Sequence, residues 1–181
     1  MRVIAGNYKS HALTAPHGAD TRPTSDRVRE SLFATLDMLG MLDGARVLDL
    51  FAGSGALGIE ALSRGASDAV FVEKALRAVA TVKKNLAAVG EKRLVVQGDA
   101  TAPAVTGEFD LILADPPYPL DETSITRMLT RAEALLKDDS SLIVVERSAR
   151  SPQPEAPETL SLFKSKTYGE TAIWMYERAR I

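Results

Sequence analysis

An α/β fold is what the sequence predicts, with a mostly parallel sheet, helices on both of its faces and an antiparallel hairpin closing its edge. Three observations predict it. From Arg46 onward, short apolar runs take turns with helical stretches, the pattern of right-handed crossovers over a parallel sheet. The apolar runs are continuous instead of alternating, as strands buried on both faces require. After Pro157 two strand-like runs follow one another with no room for a helix between them.

In chain order, Arg2 to Leu13 holds enough β-formers for a small hairpin. Ser25 or Asp26 caps a helix whose apolar positions Val28, Leu32, Leu36 and Leu39 share one face, with Arg27, Arg29 and Glu30 on its polar side. Strands are expected over Arg46–Leu50, Ala69–Val72, Leu94–Val96, Asp110–Ala114 and Leu142–Glu146, with helices over Ala56–Ser63, Lys74–Val89 and Glu122–Leu136. Three prolines within Ser151–Pro157 stop both helix and strand and mark a long surface loop. Leu160–Lys166 and Thr171–Glu177 form the final hairpin around Thr167-Tyr168-Gly169-Glu170, giving seven strands in all.

The 181 residues, 45% hydrophobic and 25% charged, suffice for one core. Zero cysteines exclude disulfide frameworks, cysteine-ligated metal and any cysteine nucleophile. His11 and His17 lack the paired spacing of a metal site, so no metal is expected. No run approaches a membrane span and Met1 to Gly6 lacks the apolar stretch of a signal peptide, so the expectation is a cytoplasmic protein without a membrane partner. Net charge is −2, yet residues 1–30 and 160–181 each carry +2, leaving −6 between them. If the two basic ends meet, one face attracts phosphate while the whole stays acidic; a random scatter of solvated charge explains the same counts.

The strongest local signal is Val47-Leu48-Asp49-Leu50-Phe51-Ala52-Gly53-Ser54-Gly55-Ala56-Leu57-Gly58, a buried strand entering a glycine-rich turn and a helix. Glycines at 53, 55 and 58 let a ligand approach the backbone and the helix amino terminus. Glu73, twenty residues after Gly53, ends the next strand, where a carboxylate accepts the two hydroxyls of a ribose. A dinucleotide and S-adenosylmethionine both suit this layout. Asp49 discriminates, because a carboxylate aimed into the turn repels a pyrophosphate and attracts a sulfonium or ammonium group. Alternatively, Asp49 bonds the loop's own amides. Asp99, in Gln97-Gly98-Asp99-Ala100, is either an acceptor for an adenine amine or an Asx turn.

Asp115-Pro116-Pro117-Tyr118 then follows the fourth strand. The prolines fix the backbone, so that the Asp115 carboxylate and neighbouring carbonyls stand rigidly in the crevice at the strand ends, with Tyr118 as a flat surface for a base.

Together Asp49 to Gly58, Glu73, Gly98-Asp99-Ala100 and Asp115 to Tyr118 resemble the successive motifs of class I S-adenosylmethionine-dependent methyltransferases that modify exocyclic amines. Met1 to Gly6, Thr21 to Phe33, Val47 to Ala66 and Tyr168-Gly169 further resemble the RsmD family, whose members methylate guanine N2 in small-subunit ribosomal RNA. The likeness covers nearly the whole chain and is weakest at the proline loop; Tyr8-Lys9-Ser10-His11 is less basic than family members often are.

The resemblance implies a Rossmann-like class I methyltransferase fold, with residues 25–181 as the S-adenosylmethionine-dependent domain and residues 1–24 as a basic, RNA-contacting hairpin extension. It implies a catalytic group of Asp115, Pro116 and Tyr118. Cofactor contacts are implied from Asp49, Phe51, Ala52, Gly53, Ser54, Gly55, Glu73, Lys74, Asp99, Ala100, Arg22 and Thr24. RNA contacts are expected from Arg2, Lys9, Arg27, Arg29, Lys166 and Tyr168, with solvated helix residues the alternative at 27 and 29. The implied partner is 16S ribosomal RNA, free or within an assembling small subunit, bound by a monomer. Competing readings keep the cofactor and change the target to adenine N6 or DNA, replace the cofactor by a nicotinamide, or leave a non-catalytic RNA-binding scaffold.

Overall fold

A computed structural model describes residues 1–15 and 25–180. Its elements run α1 (Asp26–Met38), β1 (Arg46–Leu50), α2 (Ala56–Ser63), β2 (Asp68–Glu73), α3 (Leu76–Ala88), β3 (Val95–Gln97), β4 (Leu111–Ala114), α4 (Glu122–Glu133), β5 (Leu142–Ser148), β6 (Leu160–Tyr168) and β7 (Thr171–Arg178). Seven strands form one sheet in the order β3-β2-β1-β4-β5-β7-β6. The first five are parallel, β7 runs antiparallel to β5, and β6 antiparallel to β7. The predicted alternation and closing hairpin are therefore present. Helices cover both faces as expected.

The sheet sorts its side chains by the two-residue period of a strand. Val47, Phe71, Leu111, Leu113 and Val144 pack with Phe33 and Leu36 of α1, Ile59 of α2 and Val82 of α3. Leu48, Leu50, Val70, Ile112 and Val145 pack with Ile125, Met128 and Leu129 of α4 on the opposite face. Both faces are apolar, which is why the strands read as unbroken apolar runs. The order reverses beside β1, whose neighbours are β2 and β4. Open parallel sheets bind ligands at such a switch point, outside the carboxyl ends of the strands.

Several details refine or correct the sequence reading. The hairpin over Arg2–Leu13 shrinks to a single antiparallel bridge between Arg2 and Ala12, flanked by backbone bonds from Val3 to His11 and from Leu13 to Met1. Of the two cap candidates it is Ser25 that caps α1, its hydroxyl accepting the Val28 amide at 3.3 Å. Leu39 is the C-cap and stands exposed, because the helix ends before its register returns to the core. Arg29, expected on the polar face, is fully buried, since the amino-terminal segment covers that side of α1.

Candidate active site

β1 delivers the glycine loop. Its turn is tight: Phe51 has φ 57°, Gly53 58° and Gly55 81°, the left-handed region where only glycine is free of side-chain penalty. The Ala52 amide donates to the Val72 carbonyl at 3.0 Å, and the Gly55 amide to the Ala52 carbonyl at 2.7 Å. Gly55 is the N-cap of α2 and has no side chain with which to cap it. Asp49 supplies the acceptor from β1, Oδ2 taking the Gly58 amide at 3.0 Å. Asp49 thus bonds the loop's own helix, the alternative weighed above, but with one oxygen only. Oδ1 is buried and has no hydrogen-bond partner among the described residues. Burial raises the Asp49 carboxyl to about 8, against the Gly58 bond and with help from the nearby Glu73 charge. An orphaned carboxylate oxygen beneath a glycine loop fits a cationic ligand group.

Glu73 ends β2 beside the same loop. Its Oε1 accepts the Gly53 amide at 3.1 Å and its Oε2 the Ala75 amide at 2.7 Å, which starts α3 at Leu76 and not at Lys74 as expected. Each oxygen keeps a further lone pair for a hydroxyl donor. Lys74 is exposed and Ala100 buried. Asp99 is an Asx turn: Oδ1 accepts the Thr101 amide at 2.9 Å and the Thr101 hydroxyl at 2.7 Å, and those bonds hold the carboxyl below its usual range. Ser54 is buried, its hydroxyl accepting the Ala56 amide at 3.3 Å.

β4 brings the second motif to the same place. Leu50 is paired with Ala114, and the Asp115 amide approaches the Leu50 carbonyl at 3.4 Å. Asp115 is partly buried, Pro116 buried, and Tyr118 stands 41% exposed at the rim. Asp49, Glu73, Asp99 and Asp115, four acidic residues far apart in the chain, gather along one sheet edge. Arg22 and Thr24 lie outside the described residues, as does His17.

A family model described as Conserved hypothetical protein 95 matches residues 1–177. "Ribosomal RNA small subunit methyltransferase D" of Escherichia coli (strain K12) is 35% identical, covering 98% of this chain and 90% of that protein. This chain belongs to the RsmD family. YlbH of Bacillus subtilis (strain 168) is 40% identical, with 98% and 99% covered. The solved structure of yhhF from Escherichia coli superposes with a TM-score of 0.81 at 34% identity, over 98% of this chain and 97% of that one. An S-adenosylmethionine-dependent methyltransferase from Clostridium acetobutylicum, only 10% identical, superposes at 0.69 over 84% and 91%, a likeness of fold alone. The Rossmann-like methyltransferase fold expected from the motifs is the fold observed.

Most residues expected to touch RNA collect around α1 of this RsmD-family chain. Arg2, Arg27 and Lys166 are exposed. The Arg2 carbonyl accepts from Arg29 at 2.5 Å, and Ser31 of α1 donates to the Tyr168 hydroxyl at 2.9 Å. Lys166 Nζ lies 4.8 Å from the Tyr168 ring centroid. Lys9 is exposed in the turn beyond, its amide bonded to the Gly6 carbonyl. Arg29 is a correction: its guanidinium pairs with Asp26 at 2.9 Å and faces Glu60 at 3.9 Å, so it holds the fold together and does not face solvent. Among described residues no helix is long and apolar enough to cross a membrane.

Sequence reasoning missed Glu60, Ser63 and Asn85, all buried. The signal was present. Glu60 and Ser63, three residues apart, interrupt an otherwise apolar helix, and Asn85 stands three residues after Val82 and seven after Ala78, on the buried stripe of α3.

Proposed function

We propose that this chain transfers a methyl group from S-adenosylmethionine to the exocyclic N2 amine of a guanine in small-subunit (16S) ribosomal RNA. The observation that carries the reading is the contact between the two motifs: the strand end bearing Asp115 is bonded to the strand end bearing the glycine loop. When bound, S-adenosylmethionine supplies an electrophilic methyl group on a sulfonium. The chain's residues have separate tasks. Asp49 meets the cationic end with its orphaned oxygen, Glu73 accepts the ribose hydroxyls, and Asp99 takes an adenine amine with the oxygen that Thr101 leaves. Phe51 to Gly55 present backbone against the ligand, with Lys74, Ala100, Arg22 and Thr24 completing that set.

A guanine amine is a poor nucleophile because its lone pair is delocalised into the ring. Asp115 and the Pro116 carbonyl hold the amino hydrogens, so that the lone pair faces the methyl. As the N–C bond forms the S–C bond breaks, with S-adenosylhomocysteine as the leaving group, and one amino hydrogen is lost to solvent as a proton. Tyr118 fixes the plane of the base by stacking, on a target nucleotide that is unstacked or single-stranded. Alignment of two held reactants accounts for about 7–11 kcal/mol of barrier reduction in well-oriented systems. No covalent enzyme intermediate is needed. Arg2, Lys9, Arg27, Lys166 and Tyr168 form the RNA-facing side, for free RNA or an assembling particle, and the protein acts as a monomer in the cytoplasm.

The test is transfer of a tritiated methyl group to undermethylated ribosomal RNA, free and in particles, followed by nucleoside analysis. Label in N2-methylguanosine is the expected result. Label in N6-methyladenosine overturns the base assignment, and no label with either substrate overturns the activity.

A further inference from the structure

Buried polar side chains on the helices fasten residues 1–14 by bonding the main chain of that segment. Glu60 accepts the Ile4 amide at 2.8 Å and the Ala5 amide at 3.1 Å. Ser63 Oγ accepts the Tyr8 amide at 2.9 Å and donates to the Ala5 carbonyl at 2.5 Å. These two anchors end on α2. Asn85 of α3 differs, because it also reaches the candidate site.

Asn85 Oδ1 accepts the Thr14 amide at 2.8 Å. Its Nδ2 donates to the Thr14 carbonyl at 2.9 Å and to the Ser54 carbonyl at 2.8 Å. The partners fix which atom is which: an N–H requires the oxygen, and two carbonyls require the two amide hydrogens. The residue is 1% exposed, so no solvent replaces a lost partner. Ser54 sits between Gly53 and Gly55, both with positive φ, where the backbone has most freedom to lose. A loop of that kind needs an outside hold on its geometry.

We infer that Asn85 is a positioning residue that locks the glycine loop and the end of the amino-terminal strap into one unit, so that affinity for the nucleoside ligand depends on the strap being docked. The inference rests on the reading above, that this loop holds S-adenosylmethionine. Asn85 itself touches no ligand; it acts through the Ser54 carbonyl.

The test is calorimetry of the full chain with S-adenosylhomocysteine, below the unfolding transition of every variant. Asn85→Asp keeps size and one acceptor but sets a second carboxylate oxygen against two carbonyls. Asn85→Leu removes every bond. Leu86→Ala, in the same helix and buried, is the control for general loss of stability. Both Asn85 variants are expected to bind at least tenfold more weakly, and Leu86→Ala within threefold of the wild type. Hydrogen exchange is expected to quicken together in peptides covering residues 8–15 and 50–60 of the Asn85 variants, which a local packing defect would not produce. Asn85 variants that bind within threefold, or an equal loss in Leu86→Ala, overturn the inference. Should an Asn85 variant fail to fold, Thr14→Pro deletes the strap's own N–H donor: a loss of threefold or more supports the coupling and unchanged affinity overturns it. A wild-type chain that does not bind S-adenosylhomocysteine sinks the proposed cofactor instead, and the exchange data then decide the tether alone.

Discussion

The Gly58 amide donates to Asp49 Oδ2 at 3.0 Å, and this bond satisfies an amide in the first turn of α2 while the other Asp49 oxygen is buried with no partner among the described residues. The carboxyl, raised from 3.8 to about 8 by burial, binds a proton in the folded chain that it lacks when unfolded at neutral pH. The sign follows. Stability from this group is complete below pH 4 and is lost as pH rises towards 8, at about 1.4 kcal/mol per pH unit at most. Asp49→Asn isolates the effect: the variant keeps an acceptor for Gly58, and its thermal stability relative to the wild type improves from pH 5 to pH 8. Under the proposed binding of S-adenosylmethionine its cationic end favours the ionised carboxyl, so binding to the wild type is expected to release protons below pH 8. Calorimetry in buffers of different ionisation enthalpy measures that release, which Asp49→Asn abolishes along with most of the affinity.

Gly58 leaves no space for a side chain. A Cβ there would overlap Phe71 Cε1, lie 2.7 Å from Phe71 Cζ and stand 3.2 Å from Asp49 Oδ2. Alanine gains about 1 kcal/mol of helix propensity, but overpacking a rigid core costs about 1–3 kcal/mol, and Phe71 is fully buried. Overpacking wins. Gly58→Ala is expected to lower the melting temperature by several degrees and to weaken S-adenosylhomocysteine binding, and adding Phe71→Leu restores part of both.

Asp115 and Tyr118 have distinguishable kinetic signatures under the proposed reaction. Removing a group that orients the nucleophile reduces turnover by about 10²–10⁴, so Asp115→Ala should lose kcat and keep its affinity for S-adenosylhomocysteine. Stacking is worth about 1–3 kcal/mol per base, so Tyr118→Ala should raise KM for RNA while Tyr118→Phe stays near the wild type. Equal effects of Tyr118→Phe and Tyr118→Ala on KM would show that the ring does not stack.

Local order was legible in the sequence because local physics sets it. The apolar runs of β1, β4 and β5 are buried on both faces, and the glycine turn and Asp115-Pro116-Pro117-Tyr118 both end strands, so their chemistry and position could be read together. Pairings between distant segments were not legible. Arg29 reads as a surface residue until the strand-like segment at Arg2 is laid over it, and Asn85 reads as an ordinary helix residue until Thr14 and Ser54 are brought to it. Polar residues on apolar stripes are where such contacts are hidden. The Asx turn at Asp99 was readable as one of two outcomes, since Thr101 lies within reach of its side chain in the chain itself.

Arg27 and Arg29 stand two residues apart with opposite surroundings, and this separates a proposed RNA contact from a structural cation. Arg27 is exposed, whereas Arg29 is buried against Asp26, Glu60 and the Arg2 carbonyl, and burial pushes its guanidinium down from its ordinary value. Breaking a buried ion pair by removing one partner costs about 3–5 kcal/mol, because the buried Glu60 would keep its charge with one fewer cation beside it, Arg64 remaining. Arg29→Ala is therefore expected to lower the melting temperature by roughly 10 °C, since 1 kcal/mol corresponds to about 2–4 °C at this chain length. Arg27→Ala should leave melting unchanged and reduce the dependence of RNA affinity on salt by about one released counterion. Filter binding of ribosomal RNA between low and moderate salt reads that slope directly. An unchanged slope in Arg27→Ala would remove α1 from the RNA-facing side, because Arg27 is the cation that this helix turns towards solvent.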